Sequence, residues 1–300
     1  MRFLSLLIFL MVCFSCAQTN NPQLQETSSE PVSLVGTWDL VSFIAPDDPT
    51  KQWRDHGDSI LYQKHLTPTH FTWVMYDLKN DQMIGMGGGN YVRRENQYVE
   101  NIDFFHPPAS SELGQSIPFE VRFEDGKWYH TGYAKEMEMD FDEGLMVVAD
   151  STKIEEIWVR TQEPVAESNQ LVGTWDLHQY RYDANESYYE YPAMMGYLKL
   201  ITPTHFIWVK YDKEGDQIYG SGSGPYRFDG DRNYEEVIQM MHPPAHTLRG
   251  TTVQFTIDVS DHRWDLYGYG LRQPTNDTLL IDEVWGHHAN TLEEEVAINF

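Results

Sequence analysis

Leu34–Leu40 reads LVGTWDL, and the same seven residues return unchanged at Leu171–Leu177. Working outward, Leu66–Asp77 (LTPTHFTWVMYD) returns as Ile201–Asp212 (ITPTHFIWVKYD), and His106–Ala109 (HPPA) as His242–Ala245. Asp81-Gln82 matches Asp216-Gln217. Trp128 and a following Gly132-Tyr133 match Trp264 and Gly268-Tyr269, and Ile154–Trp158 (IEEIW) matches Ile281–Trp285 (IDEVW). Landmarks repeated in one order mean that the chain is a duplication. The copies span 34–160 and 171–300 and are joined by a linker, 161–170 (TQEPVAESNQ).

Within each copy, short runs rich in Val, Ile, Thr, Tyr and Trp alternate with Gly, Asn and Asp turns, the pattern of strands. The first copy predicts strands at 34–43, 59–65, 69–77, 83–93, 97–105, 116–124, 127–134, 144–149 and 153–160. Eight or nine successive strands without a long helix predict an all-β fold, two tandem antiparallel barrels. Closure removes exposed strand edges and leaves an interior wide enough for a small ligand.

The chain opens MRFLSLLIFLMVCFSC, a basic residue and then an apolar stretch too short to cross a bilayer, which predicts an export signal over 1–16. Small residues before Cys16 resemble the lipidation site of bacterial lipoproteins, although cleavage after Ala17 is also open. Residues 17–33 are polar and carry Pro and Ser, as a tether does. The expectation is an exported outer-membrane lipoprotein, periplasmic or surface-facing, touching the membrane only through its lipid. Both cysteines lie in the leader, so the folded part has no disulfide and no thiol nucleophile. With 21 Lys and Arg against 46 Asp and Glu, the net charge of −25 excludes nucleic-acid binding driven by bulk charge. Nine Trp, 18 Tyr and 14 Phe suit both strands and stacking against sugar rings.

Gly36-Thr37-Trp38 and Gly173-Thr174-Trp175 resemble the entry motif of lipocalins. Together with the TPTHF-x-WV-x-YD string, the Gly-rich strand, Tyr-x-Glu and Glu-x-Trp, both copies resemble the lipocalin-like domains of Bacteroidota lipoproteins. That resemblance implies a barrel and is weak on function. The two-barrel layout also resembles that of ulvan oligosaccharide dehydratases, which would imply removal of water from the terminal uronic acid of an acidic oligosaccharide.

Alternation places His70, Thr72, Val74 and Tyr76 on one face, matched by His205, Ile207, Val209 and Tyr211. Lys210, on the opposite face, suggests that this other face meets solvent and that the His/Tyr face points inward. Tyr98 with Glu100, Tyr234 with Glu236, Glu156 with Trp158 and Glu283 with Trp285 form further same-face pairs. A lumen holding His, Tyr and two Glu could perform acid–base elimination, with His70, His205, Tyr76, Tyr211, Tyr98 and Tyr234 as acids and bases. It could equally be a buried hydrogen-bonded network. His106 and His242, each before Pro-Pro, are expected at a barrel mouth. With Glu100, Glu236, Arg93, Arg227, Trp158 and Trp285 they are the candidate substrate contacts. Lys64-His65, Arg93-Arg94 and His130 look peculiar to the first copy; His178, Arg227, His246, Arg249 and His287-His288 look peculiar to the second. No metal-ligand or dinucleotide spacing is present, so neither metal nor cofactor is expected. Two functions remain open at this level: a dehydratase, or a non-catalytic carrier of a small sugar or apolar ligand.

Overall fold

The computed structural model describes residues 32–46, 48–108, 112–140, 145–161, 169–214, 217–245, 247–272 and 277–288. The export segment with Cys16, most of the tether and linker, and His246 lie outside the described residues.

In the first copy the strands are β1 (Gly36–Ile44), β2 (Trp53–Arg54), β3 (Ile60–Leu66), β4 (His70–Asp77), β5 (Gln82–Arg94), β6 (Gln97–Asn101), β7 (Phe104–His106), β8 (Ser116–Glu124), β9 (Lys127–Asp140) and β10 (Leu145–Arg160). β1 pairs with β3 on one side and with β10 on the other, which closes eight antiparallel strands in the order β1-β3-β4-β5-β6-β8-β9-β10. The short β2 and β7 attach to β1 and β5. The second copy repeats this arrangement. Its strands are β11 (Gly173–Arg181), β12 (Tyr189–Glu190), β13 (Met195–Ile201), β14 (His205–Asp212), β15 (Ile218–Phe228), β16 (Asn233–Val237), β17 (Met240–His242), β18 (Thr252–Val259), β19 (Arg263–Arg272) and β20 (Asp277–His287). β11 pairs with β13 and β20 to close that ring.

Three expected strands differ from this. The run 97–105 is broken between β6 and β7, where the Asp103 N–H leaves the ladder to donate to the Gly88 carbonyl at 2.8 Å. The runs 144–149 and 153–160 are one strand, β10, with a register shift between Val148 and Asp150 absorbing the irregularity.

The repeated LVGTWDL segment seals one end of each barrel. Trp38 and Trp175 are buried edge-on against Trp128 and Trp264, with ring centroids 5.2 and 5.6 Å apart. Their indole N–H groups donate to the Leu34 and Leu171 carbonyls, so the chain is tied down where it enters the fold. Trp73 and Trp208 lie flat across the glycines of β5 and β15. A Cβ at Gly87 or Gly222 would come within 2.8 or 2.7 Å of the indole nitrogen, so those two positions exclude any side chain.

The barrels meet through the outer faces of β4 and β14. Val74, Tyr76, Met86 and Phe104 of the first pack with Leu200, Ile207, Val209 and Tyr211 of the second in one buried cluster. Phe104 and Tyr211 lie with centroids 4.7 Å apart. Beside the cluster, Thr37 meets the Thr202 hydroxyl at 2.8 Å and Thr67 meets that of Thr174 at 2.7 Å. These two contacts exchange equivalent residues between copies. Replacing the fully buried Phe104 by Ala removes the ring at the centre of this contact. It should lower unfolding stability by about 3–5 kcal/mol in urea titration; a loss under 1 kcal/mol would mean that the two barrels unfold without reference to each other.

Candidate functional site

The inward faces are the reverse of those expected for β4 and β14. Phe71 and Trp73 pack with Trp38, Tyr98, Trp128 and Trp158 inside the first barrel, while Phe206 and Trp208 pack with Trp264 and Trp285 inside the second. His70, Tyr76, His205 and Tyr211 therefore lie outside the lumens, in the contact between barrels. His70 Nδ1 meets the Thr69 hydroxyl at 2.8 Å, and its ring stands edge-on to His288 at 4.3 Å. His205 meets the Thr204 hydroxyl at 2.9 Å and lies 5.9 Å from the ring of His65. Burial lowers the pKa of His70 to about 3 and that of His205 to about 4, which keeps both rings neutral. Tyr76 donates to Asp81 at 2.6 Å, and Arg249 of the second barrel reaches the same carboxylate at 3.1 Å. Lys210 misled the assignment of faces because it stands at the open rim of the second lumen, 5.9 Å from the Tyr191 ring centroid.

Tyr98, Glu100, Glu156 and Trp158 do face the first lumen, as Tyr234, Glu236, Glu283 and Trp285 face the second. Sequence reading missed the group that organises them. Lys64 and Lys199 occupy the same register, each opposite the entry Trp and the strand-four Trp, so Lys64 is not peculiar to the first copy. Lys64 donates to Glu100 at 2.8 Å, and Lys199 is paired with Glu236, all four side chains being 5% exposed or less. Each ammonium is ringed by aromatic faces: Lys64 lies 5.0 Å from the Trp158 centroid, and Lys199 lies 4.9 Å from Trp264 and 5.5 Å from Tyr234. Cation–π attraction and the carboxylate together replace the water that a buried ammonium has lost. The cue was present in the second copy, as a lysine inside the otherwise apolar run LKLI; in the first copy Lys64 stands among polar neighbours, QKHL.

A second carboxyl joins each pair. Trp158 donates its indole N–H to Glu156 at 3.0 Å, and Trp285 donates to Glu283 at 3.1 Å. Burial raises the pKa of Glu283 to about 7; Lys199 draws it down and Glu236 adds to the rise. Glu156 is likewise raised by burial. Burial also pushes the Tyr98 and Tyr234 phenols well above their ordinary range, with Glu100 and Glu236 adding to it.

Above this common floor the lumens diverge. In the first, His130 stacks on Phe119 at 3.7 Å and meets Glu156 at 3.1 Å, while Glu112 sits close enough to Glu100 and Glu156 for its pKa to rise to about 7, mainly through burial. The second copy has Leu266 and Leu248 at the corresponding places, and there the lumen opens as a cavity of about 640 Å³. Its floor is Lys199, Glu236 and Glu283; its walls include Tyr197, Trp208, Phe255 and Leu266. His242 borders this cavity, as expected of a candidate contact, and also faces His106 across the barrel contact at 5.5 Å. Arg93 lies at the sealed end of the first barrel, 5.3 Å over the Phe123 ring, and Arg227 is exposed near the corresponding end of the second.

No protein-family model matches this chain, and no curated protein matches it. Among solved structures, an uncharacterized protein of Saccharomyces cerevisiae aligns with TM-score 0.41 and 10% identity, over 84% of this chain and 98% of that one. A protein of unknown function from Nostoc punctiforme aligns with TM-score 0.22 and 7% identity, over 85% and 96%. Transferrin binding protein B of Haemophilus parasuis aligns with TM-score 0.25 and 7% identity, over 86% and 77%.

Lys199→Ala leaves Glu236 buried without its counter-charge and should cost on the order of 3–5 kcal/mol in urea unfolding, whereas Lys199→Met with Glu236→Leu should recover most of that loss. The carboxyl of Glu283 holds its proton more tightly in the folded protein than its ordinary 4.5. Its contribution to stability is therefore complete below about 4.5 and is lost as pH rises through about 7. Glu283→Gln should flatten that part of the stability–pH curve; an unchanged slope between pH 4.5 and 7 would refute the assignment.

Proposed function

We propose that the second barrel is a receptor for a sugar ring, and that the protein is a carbohydrate-binding, lipocalin-like lipoprotein. The observation that carries this is the make-up of its cavity: an ion pair and a protonatable carboxyl on the floor, under aromatic and aliphatic walls. A sugar ring has hydroxyl groups around its edge and C–H groups on its faces. The floor supplies fixed donors and acceptors for the edge, and Trp208, Tyr197 and Phe255 supply apolar surface for the faces. Lys210 at the rim would favour a sugar that carries a carboxylate. A lipid on Cys16 would hold the protein at the outer membrane, periplasmic or surface-facing.

One observation favours a reactive version of the same site. Elimination of water from a terminal uronic acid needs a group that takes the proton beside the carboxylate and a group that protonates the departing hydroxyl. Glu283, with its pKa raised to about 7, next to the Glu236–Lys199 pair, is suited to such proton transfer. His70, His205, Tyr76 and Tyr211 are walled off in the barrel contact and are not part of this proposal, while Tyr98 and Glu100 belong to the lumen that His130 occupies.

The test uses the chain freed of residues 1–16 and oligosaccharides ending in glucuronic acid, with glucose oligosaccharides alongside. A sugar at about one hundred times its Kd should stabilise the protein by about 2.7 kcal/mol, several degrees in Tm. Leu266→Trp, which fills the lumen, should abolish the shift. Absorbance of an unsaturated uronate, with loss of one water by mass spectrometry, would establish the dehydratase; a Tm shift without product would establish the carrier. Neither signal with any sugar would overturn the carbohydrate reading.

A further inference from the structure

The wall of the second barrel is split. The ladder between β18 and β19 runs from Val259 opposite Trp264 to Phe255 opposite Gly268 and goes no further. Beyond that point both strands continue, but apart: β18 stays paired to β16 as far as Thr252, and β19 stays paired to β20 as far as Arg272. Outside the split lies a groove of about 730 Å³, bordered by Thr252, Gln254, Tyr267 and Tyr269. Leu248, Val253, Phe255, Gly270 and Leu271 border this outer groove and the lumenal cavity alike. The two spaces are thus separated by no more than one layer of shared residues, with a glycine in it.

The first barrel has the same split and closes it. Its β8–β9 ladder also ends at the equivalent pair, Phe119 opposite Gly132. There Gln115 reaches across and donates from Nε2 to the Lys135 carbonyl at 2.8 Å. Thr251 holds the place of Gln115, since Ile238 N–H donates to its carbonyl as Ile102 N–H does to that of Gln115. Its short hydroxyl bonds back to the Leu248 carbonyl at 2.6 Å and spans nothing. The open split therefore belongs to the copy whose lumen is also open.

The groove has a chemistry of its own. Tyr267 and Tyr269 are 39% and 56% exposed, share a 2.9 Å contact between their hydroxyls, and present rings at 80° to each other. Around them stand hydroxyl and amide side chains, Thr252, Thr256, Gln254 and Asn233, with Glu235 held by Gln254 at 3.0 Å. The first barrel has Thr131 and Tyr133, Ser116 and Pro118 at the corresponding register. Exposed tyrosine rings among short neutral donors and acceptors suit a chain of hydroxyl-rich rings and offer little to a purely apolar tail.

We propose that the split is the ligand's passage through the wall, and that the ligand is an oligosaccharide, its terminal ring in the lumen and its next one or two rings on Tyr267 and Tyr269. This rests on the reading of the lumen as a sugar site and adds the length and direction of the sugar. Calorimetry with glucuronic acid and with oligosaccharides of two to four sugars ending in it tests the proposal. Affinity should rise about tenfold or more from one ring to three and then level off. In the variant with both Tyr267→Ala and Tyr269→Ala, exposed positions where folding is undisturbed, the three-ring sugar should bind no better than glucuronic acid alone. Thr251→Gln, which rebuilds the first barrel's bridge, should weaken the three-ring sugar as well. Affinity independent of length, or full binding by the double variant, would overturn the passage and leave the lumenal site standing. Binding of the three-ring sugar that survives Leu266→Trp would make the groove a separate surface and overturn their continuity. If no sugar of any length binds, the lumenal reading fails and this one with it.

Discussion

Everything in this molecule depends on where β4 and β14 face. A barrel strand ordinarily has one face for the core and one for water. These two have apolar residues on both, because the outer face of each barrel is covered by the other. Val74 and Val209 are as fully buried as Phe71 and Phe206 on the opposite faces of the same strands. The repeated His and Tyr of the TPTHF-x-WV-x-YD string are thereby committed to joining the barrels, with His70 and His205 turned to threonine hydroxyls and Tyr76 to Asp81. The carboxyls and ammonium groups left inside are those of Glu100, Glu156 and Lys64, and of Glu236, Glu283 and Lys199.

That double burial also explains what could and could not be read from the sequence. The duplication, the closed all-β rings and the inward Tyr98, Glu100, Glu156 and Trp158 follow from repeats and alternation. The orientation of β4 does not, because alternation distinguishes faces only when one of them is polar. Lys210 looked like the missing polar marker, but a charged residue at the rim of an open lumen gives the same signal as one on a solvent face. Lys64 and Lys199 were hidden for another reason: a lysine is ordinarily a surface residue, and only the third dimension shows an aromatic ring and a glutamate gathered around each. Arg93 and Arg227, read as peculiar to their own copies, are one residue out of register, since Arg93 matches Phe228 across the paired β5–β6 and β15–β16 ladders.

The two lumens share one floor and differ in what stands above it. A lysine–glutamate pair with a second carboxyl is costly to bury and is tolerated only where the geometry is good and neighbouring groups complete the hydrogen bonding. The first barrel answers part of that demand with His130, which meets Glu156 at 3.1 Å and stacks on Phe119. The second has leucines at the places of His130 and Glu112, which cannot satisfy the floor and leave room above it. An interior of this kind is incomplete as it stands, and a polar guest would supply what the leucines do not.

The exchange of partners at the barrel contact has a meaning for the chain's history. Thr37 meets Thr202 while Thr67 meets Thr174, and His106 meets its own counterpart His242. Contacts of the form i to j and j to i, with self-contacts on the axis, are what two identical subunits make about a two-fold axis. The architecture is that of a homodimer written into a single polypeptide. Fusion of this kind frees the halves from having to remain the same: in a true dimer every substitution appears twice, and an opened lumen on one side would have opened the other. Here the halves have used that freedom: His130 and Glu112 in one stand where Leu266 and Leu248 stand in the other.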